Sequence, residues 1–417
     1  MEQTTLSSTS GSSKGARFNP FNPAFRRDPY PFFHQLREQD PVHRYFMGKA
    51  WVLTRYQDVR AILKEKRVRG YDVPDMLKDK HQYMQDRGGE LETLAFVSNK
   101  FLFFMNPPDH TRLRGLIGKS FSLSVVERMR PRIQEIVNQL LDQVQGQAEM
   151  DLIATLAGPL PVAVIAAMLG VPTEDRGILH EWSSVLSRIL DPLVSLEEYE
   201  RINKVTVKFK DYFCDLVKEK EKHPQQDLIS TLITTRDQSD KLSEEELWIT
   251  CILLFVTGEE TTVNTIGNGM LALLQHPEQL EKLKQDPETH TTGAVEEILR
   301  YDCPVQFITR VATSNLEVGA RTIAAGEKLI LSLGAANRDP DIFSDPDRFD
   351  ITRSPNDHIA FGDGIHLCLG APLARAQAQI AIPTLLQRFP KITLATQDLK
   401  WRENLTLRGV TSLPVSL

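Results

Sequence analysis

Residues 361–370 read "FGDGIHLCLG", one cysteine, Cys368, set in a frame of three glycines, a phenylalanine and a histidine. The chain has four cysteines, at 214, 251, 303 and 368, and none lies close to another in sequence. Zinc sites and iron–sulfur clusters draw on several such ligands, so a lone thiol does not complete one. Three readings of Cys368 stay open on these residues alone: an inert buried thiol, a catalytic nucleophile, or the single protein ligand of a haem iron.

The bulk numbers narrow the setting. Of 417 residues, 41% are apolar and 25% charged, the balance of an ordinary globular protein. Lys plus Arg number 49 against 55 Asp plus Glu, a net charge of −6 that argues against nucleic acid as a partner. Scattered cysteines fit the reduced thiols of a cytoplasmic protein better than a disulfide framework. Residues 1–17 are rich in Ser, Thr and Gly and have no apolar centre. They are expected to form a disordered tail, not a signal peptide or anchor. The stretch 152–173 carries no charge, but Gly158, Pro159, Pro161, Gly170 and Pro172 interrupt it, which suits a buried segment and not a membrane span. No repeat or linker divides the chain, so 18–417 reads as one domain.

"AWVLTRYQDVRAIL", residues 50–63, predicts a strand, a turn and a helix. From 113 to 275 the pattern is mostly helical, broken by charged loops at 218–227 and 234–243. Beyond Arg300 short β segments appear, as in 316–333, and the end of the chain from Trp401 reads as a hairpin around Arg408-Gly409. The expected fold class is mainly α with small β-sheets.

Ser243 followed by Glu246 is a capping box. With no proline before Pro277, the helix it opens can run some 30 residues, about 45 Å at 1.5 Å per residue. Its first half is apolar all round and therefore buried. Then Thr257, Thr261, Asn264, Thr265 and Asn268 form a single polar stripe with Glu260 beside it. A buried polar stripe costs free energy unless it finds partners. The plain reading has the threonines bonding back to carbonyls four residues earlier and Glu260 in a salt bridge. The functional reading has a cofactor or ligand against the stripe, with Gly258 letting something flat come close.

Taken together, these pieces resemble the cytochrome P450 family. "FGDGIHLCLG" matches that family's cysteine-ligand signature, Phe-Gly-x-Gly-x-His-x-Cys-x-Gly, at every fixed position. "TGEETT" looks like its acid–alcohol pair, "EEILR" its Glu-x-x-Arg, "DPDRFD" its later arginine and "PPDHTRLR" its upstream His-x-x-x-Arg. The motifs occur in the family's order and cover the chain from about residue 20 to its end. The resemblance implies a single large domain with a long central helix, and haem b ligated by the Cys368 thiolate. It removes the other two readings of Cys368. An inert thiol has no use for the glycine frame, and His366 two residues away does not make a triad.

The resemblance also implies roles. His110, Arg114, Arg310 and His366 would hold the haem propionates, and Phe361 would pack on the proximal side. Gly362, Gly364 and Gly370 would let backbone approach the porphyrin and sulfur where a Cβ would collide. The helix after Cys368 would aim its amides at the sulfur and favour thiolate. Glu297, Arg300 and Arg348 would form a buried ion-pair network fixing the cysteine loop. Thr261 would hydrogen-bond dioxygen while the Glu260 region relays protons. Thr257 stands where the family usually has alanine. It is expected to bond a substrate oxygen or to tune proton delivery. Glu259 occupies a variable position often filled by histidine or an apolar residue.

Within the family the text is similar to bacterial members that tailor macrolides and linear polyketides or cleave fatty-acyl chains in biotin synthesis. That resemblance implies a mono-oxygenase hydroxylating a hydrophobic secondary metabolite such as a polyketide, with electrons from a ferredoxin or flavodoxin and its reductase. The alternatives are a fatty-acyl oxidase acting on free chains or chains on an acyl carrier protein, and a non-catalytic haem protein that recruits partners or senses a ligand. A monomer is the family default. Pocket walls are expected from 70–105, the apolar half of the long helix, Val305–Ile308 and the turn at Gly409-Val410.

Overall fold

The helix that opens at Ser243 organises the molecule. The Ser243 hydroxyl accepts from the Glu246 amide at 3.1 Å, and the Glu246 carboxylate accepts from the Ser243 amide at 2.9 Å. From this closed capping box the central helix, Glu244–Gln275, runs 32 residues and stops before Pro277. Every side chain from Leu247 to Val256 is buried. An all-round apolar helix needs neighbours on all sides, and it has them: Pro159–Leu169, Leu196–Lys222, Pro287–Tyr301 and Ala371–Arg388 all pack on it.

This computed structural model describes residues 18–45, 50–70, 73–85, 89–191, 194–235 and 242–417. The tail expected at 1–17 and most of the charged loop expected at 234–243 lie outside the described residues.

The uncharged stretch at 152–173 is core, as its breakers suggest. A π-helical turn, Ile153–Ala157, leads into the helix Pro159–Leu169, which Gly170 ends in the left-handed region at φ 73°. Among the described residues no helix is long and apolar enough to cross a membrane.

Among the described residues the strands form sheets of five, three and two. A five-stranded sheet has the order Val42–Tyr45, Ala50–Leu53, Lys328–Ser332, Phe307–Ala312, Val68–Gly70. Its pairs are antiparallel except Ala50–Leu53 with Lys328–Ser332, which run parallel. The expected strand and helix from "AWVLTRYQDVRAIL" are Ala50–Leu53 and Tyr56–Lys64. The strand Phe307–Ala312 carries Arg310 toward the interior, and the hairpin at 401–410 bridges to Val305 through Leu407. The result is a single domain, mainly α with small sheets, in which the cysteine loop, one sheet edge and the central helix converge.

Candidate active site

The loop around Cys368 is closed by its own backbone. The Cys368 amide donates to the Phe361 carbonyl at 2.9 Å, and the Leu367 amide to Gly364. Gly362 and Gly364 sit at φ 75° and 70°, a region that favours glycine, and a Cβ on Gly364 would meet the Leu63 carbonyl oxygen at 2.5 Å. Gly370 has neither a positive φ nor a protein neighbour on its Cβ side: φ is −82°, and no protein atom lies within 4 Å of where its Cβ would stand. Its contribution is its amide, which together with that of Ala371 bonds the sulfur at the start of the helix Ala371–Arg388.

Those amides do not decide the sulfur's charge by themselves. The protein packed around Cys368 raises the thiol above its ordinary range. The two amides, Arg114 and Arg375 pull the other way without prevailing. The expected preference for thiolate therefore needs a bound cation, since metal coordination deprotonates a thiol outright.

Arg375 stacks its guanidinium 4.5 Å from the Phe361 ring centre. It also grips Glu296 with two 2.7 Å bonds, while His358 Nε2 lies 3.0 Å from the same carboxylate. Burial alone would raise the Glu296 carboxyl, but Arg375 and His358 bring it down to about 2.

His110, Arg114, Arg310 and His366 come together. The His110 and His366 rings are 4.4 Å apart, centre to centre. His110 is 1% exposed, and neither of its ring nitrogens has a partner among the described residues. Arg310 is 6% exposed, and among the described residues its side chain donates to the neighbouring Thr309 carbonyl; burial lowers it to about 10. His366 is lowered to about 3 by burial and then by Arg310, His110 and Arg114. Arg114 donates to the Leu367 carbonyl at 2.5 Å. Among the described residues no carboxylate pairs with Arg114 or Arg310. A buried guanidinium without an anion, as at Arg310, is costly, and with Arg114 also facing His366 the two arginines fit a dianionic ligand held beside the cysteine loop.

The ion-pair network exists with one member changed. Arg300 donates to both Glu297 oxygens at 2.8 Å, and both side chains are 0% exposed. The second guanidinium belongs to Arg353, whose Nε lies 3.2 Å from each Glu297 oxygen. Arg348, expected in that place, has a side chain 65% exposed and 3.8 Å from Asp350. Only its backbone enters, its carbonyl accepting from Arg300 and Arg353. "DRFDITR" holds two arginines five residues apart, and the second is the one whose side chain turns inward.

On the central helix the plain reading holds. Thr257, Thr261 and Thr265 donate to the carbonyls of Leu253, Thr257 and Thr261 at 2.7, 3.2 and 2.8 Å. Glu260 has its salt-bridge partner, Arg402, at 3.7 Å. Yet Thr257, Glu260 and Thr261 also line a cavity of about 510 Å³ that reaches Arg310 and His366. Farther along the stripe, Asn268 donates to the Arg408 carbonyl at 3.1 Å and so anchors the C-terminal hairpin.

The cavity walls include the expected Phe101, Phe103, Phe104, Leu253, Val256 and Phe307. The hairpin reaches it through Leu405–Leu407, not through Gly409-Val410, because Gly409 is pressed against Asn264. Phe18 and Phe21 from the N-terminal segment and Ser187 and Ile189 also line it, positions no motif flagged.

Comparison with known proteins matches this arrangement. The cytochrome P450 family profile covers residues 25–415. The chain belongs to the cytochrome P450 family. It is 45% identical over 394 residues to the biotin biosynthesis cytochrome P450 of Bacillus subtilis (strain 168), covering 94% of this chain and 97% of that protein. It is 41% identical over 409 residues to the polyketide biosynthesis cytochrome P450 PksS of the same organism, covering 96% and 98%. The crystal structure of P450BioI with acyl carrier protein ligated to hexadec-9Z-enoic acid superposes at TM-score 0.88, with 44% identity over 94% of this chain and 99% of that one.

This P450 is therefore a mono-oxygenase, and the reading as a non-catalytic haem protein is set aside. Its cofactor is haem, with the iron on the Cys368 thiolate. His110, Arg114, Arg310 and His366, with no carboxylate paired to either arginine among the described residues, fit the propionates of that cofactor.

Proposed function

We propose that this P450 oxidises a hydrophobic, functionalised chain such as a linear polyketide, most simply by hydroxylation. The observation that carries this reading is the cavity lining. Phenylalanines and aliphatic side chains cover most of it, while hydroxyls from Ser187, Thr257, Thr309 and Thr406 punctuate it. A largely apolar pocket with a few polar groups binds bulky apolar molecules and orients them by their oxygens. Each hydroxyl that donates to a backbone carbonyl keeps lone pairs to accept from a substrate. A bare alkyl chain has no use for them.

With its haem bound on Cys368, the site supplies oxygen activation, which a thiolate ligand promotes. The chain's own residues do the rest. Thr261, held to Thr257 by a long 3.2 Å bond, is easily freed to face the reacting end of the cavity. Glu260, 3.7 Å from Arg402 and 16% exposed, exchanges protons between water and that end. Electrons come from a ferredoxin or flavodoxin with its reductase.

A second reading, oxidation of a fatty-acyl chain, free or on an acyl carrier protein, is supported by the likeness to the biotin biosynthesis P450 and to the acyl-carrier-bound structure. Titrating the ferric protein with linear polyketides and with long-chain fatty acids, and following the low- to high-spin shift in haem absorption, separates them. A saturable shift with polyketides that weakens in Thr257→Ala supports the first. A shift with fatty acids alone, or one indifferent to Thr257→Ala, replaces it with the second.

A further inference from the structure

Glu259 lies between Gly258 and the Glu260–Thr261 pair, yet proton delivery makes no use of it. Its side chain is 4% exposed. A carboxylate buried that deeply needs a partner, and one oxygen has it: Nδ1 of His180, at 2.5 Å. The other, Oε2, is buried with no partner among the described residues. His180 is 49% exposed and so stays in exchange with bulk protons.

The location gives the contact its meaning. His180 sits in the helix Arg176–Leu186, which continues directly into the turn Ser187–Leu190. Ser187 and Ile189 of that turn line the cavity, as do Thr257 and Thr261 on either side of Glu259. One side-chain contact thus ties a wall of the cavity to the turn of the central helix that faces the reacting end.

The surrounding charges are few. Arg402, from the C-terminal hairpin, faces His180 and opposes its protonation, while sharing Glu260 at 3.7 Å. The helix Pro159–Leu169 has no titratable residue. From Leu196–Lys222, Lys208 and Tyr212 are directed at the Trp182 ring, and Tyr212 also holds Asp175. Arg176, at the start of the His180 helix, faces Arg132.

We propose that His180 is a positioning residue: through Glu259 it latches the Ser187–Leu190 wall to the Thr257–Thr261 turn, and the latch holds while His180 is charged. The hydrogen bond to Glu259 raises His180 above its ordinary value, outweighing burial and Arg402, which lower it. A raised histidine contributes its hold fully below its unfolded value and loses it as pH rises through the folded one. The wall is therefore fixed at acidic to neutral pH and loosens in mildly alkaline solution.

The test is amide hydrogen exchange on the haem-loaded full chain at pH 6 and pH 8.5, corrected for the intrinsic pH dependence of exchange. The peptide covering 176–190 should lose roughly tenfold in protection at the higher pH, the scale of one lost charge-assisted hydrogen bond. The helix 371–388 serves as the internal control and should not change. In His180→Gln, a neutral donor at both pH values, the difference should vanish. Glu259→Gln should abolish it as well. Protection of 176–190 that does not change with pH in the unmodified protein overturns the proposal. So does a pH dependence that survives His180→Gln.

Discussion

Replacing Arg353 and Arg348 by alanine, one at a time, tests which guanidinium completes the network beneath the cysteine loop. Glu297 is 0% exposed and takes Arg300 at 2.8 Å, Arg353 at 3.2 Å, the Asp350 amide at 2.9 Å and the Asn356 amide group at 3.1 Å. Arg353 also donates to the carbonyls of Ser344, Asp345 and Arg348. Removing one member of a buried ion-pair network costs about 3–5 kcal/mol. Because Arg300 remains to balance Glu297, Arg353→Ala belongs at the low end, about 3 kcal/mol. Against a domain stability of about 5–15 kcal/mol, that is a large fraction. Arg348 is 65% exposed and 3.8 Å from Asp350, so its side chain contributes about 0–1 kcal/mol. Its carbonyl, the part that serves the network, survives in alanine. Guanidinium chloride unfolding followed by circular dichroism, with haem per protein measured alongside, reads both. Arg353→Ala should lower the midpoint and the haem content, Arg348→Ala neither, and Glu297→Ala should be worst because it strands two guanidinium groups. An Arg348→Ala protein as damaged as Arg353→Ala, or a Glu297→Ala protein with normal haem, refutes the reasoning.

Two further outcomes follow from the same electrostatics. Arg310→Leu removes a charge-assisted contact worth about 1.5–3 kcal/mol, so haem transfer to apomyoglobin should become roughly 10- to 100-fold more favourable while the fold persists. Glu296, held down to about 2, contributes stability that is present above its unfolded value near 4.5 and lost as pH falls toward 2. Acid unfolding over that interval should therefore carry about 3 kcal/mol that Glu296→Gln lacks.

The sequence made the outline of the fold readable where local chemistry is decisive. The capping box at Ser243 and the breakers at 158–172 act within a few residues, so their consequences needed no tertiary knowledge. The cysteine frame was legible for the same reason, since Gly362 and Gly364 answer to backbone conformation in their own loop. Arg353 was not, because two arginines in "DRFDITR" are equivalent until the chain's path decides which one turns inward. The His180–Glu259 contact spans 79 residues and joins two helices whose packing no local pattern records. Phe18 and Phe21 were hidden for a related reason. The segment holding them is fixed by Arg408, which donates to the carbonyls of Arg26 and Arg27 from the far end of the chain.

The charges at this site also link haem binding to stability. Arg310 brought down to about 10 and His366 to about 3 show that the chain alone disfavours charge at this place. Both groups are nonetheless retained beside His110, whose ring nitrogens have no partner among the described residues. A site built this way costs the free chain stability and returns it only when an anion arrives. The bound group then stabilises the native state by mass action, since the unfolded chain holds no such arrangement. The cysteine loop obeys the same logic. Its thiol is raised until a cation takes the sulfur, so one ligand that is cationic at its centre and anionic at its edge satisfies both halves of the site. Haem has that charge pattern. Damage to either half, by Arg310→Leu or through the Glu297 network, should therefore be felt first as haem loss.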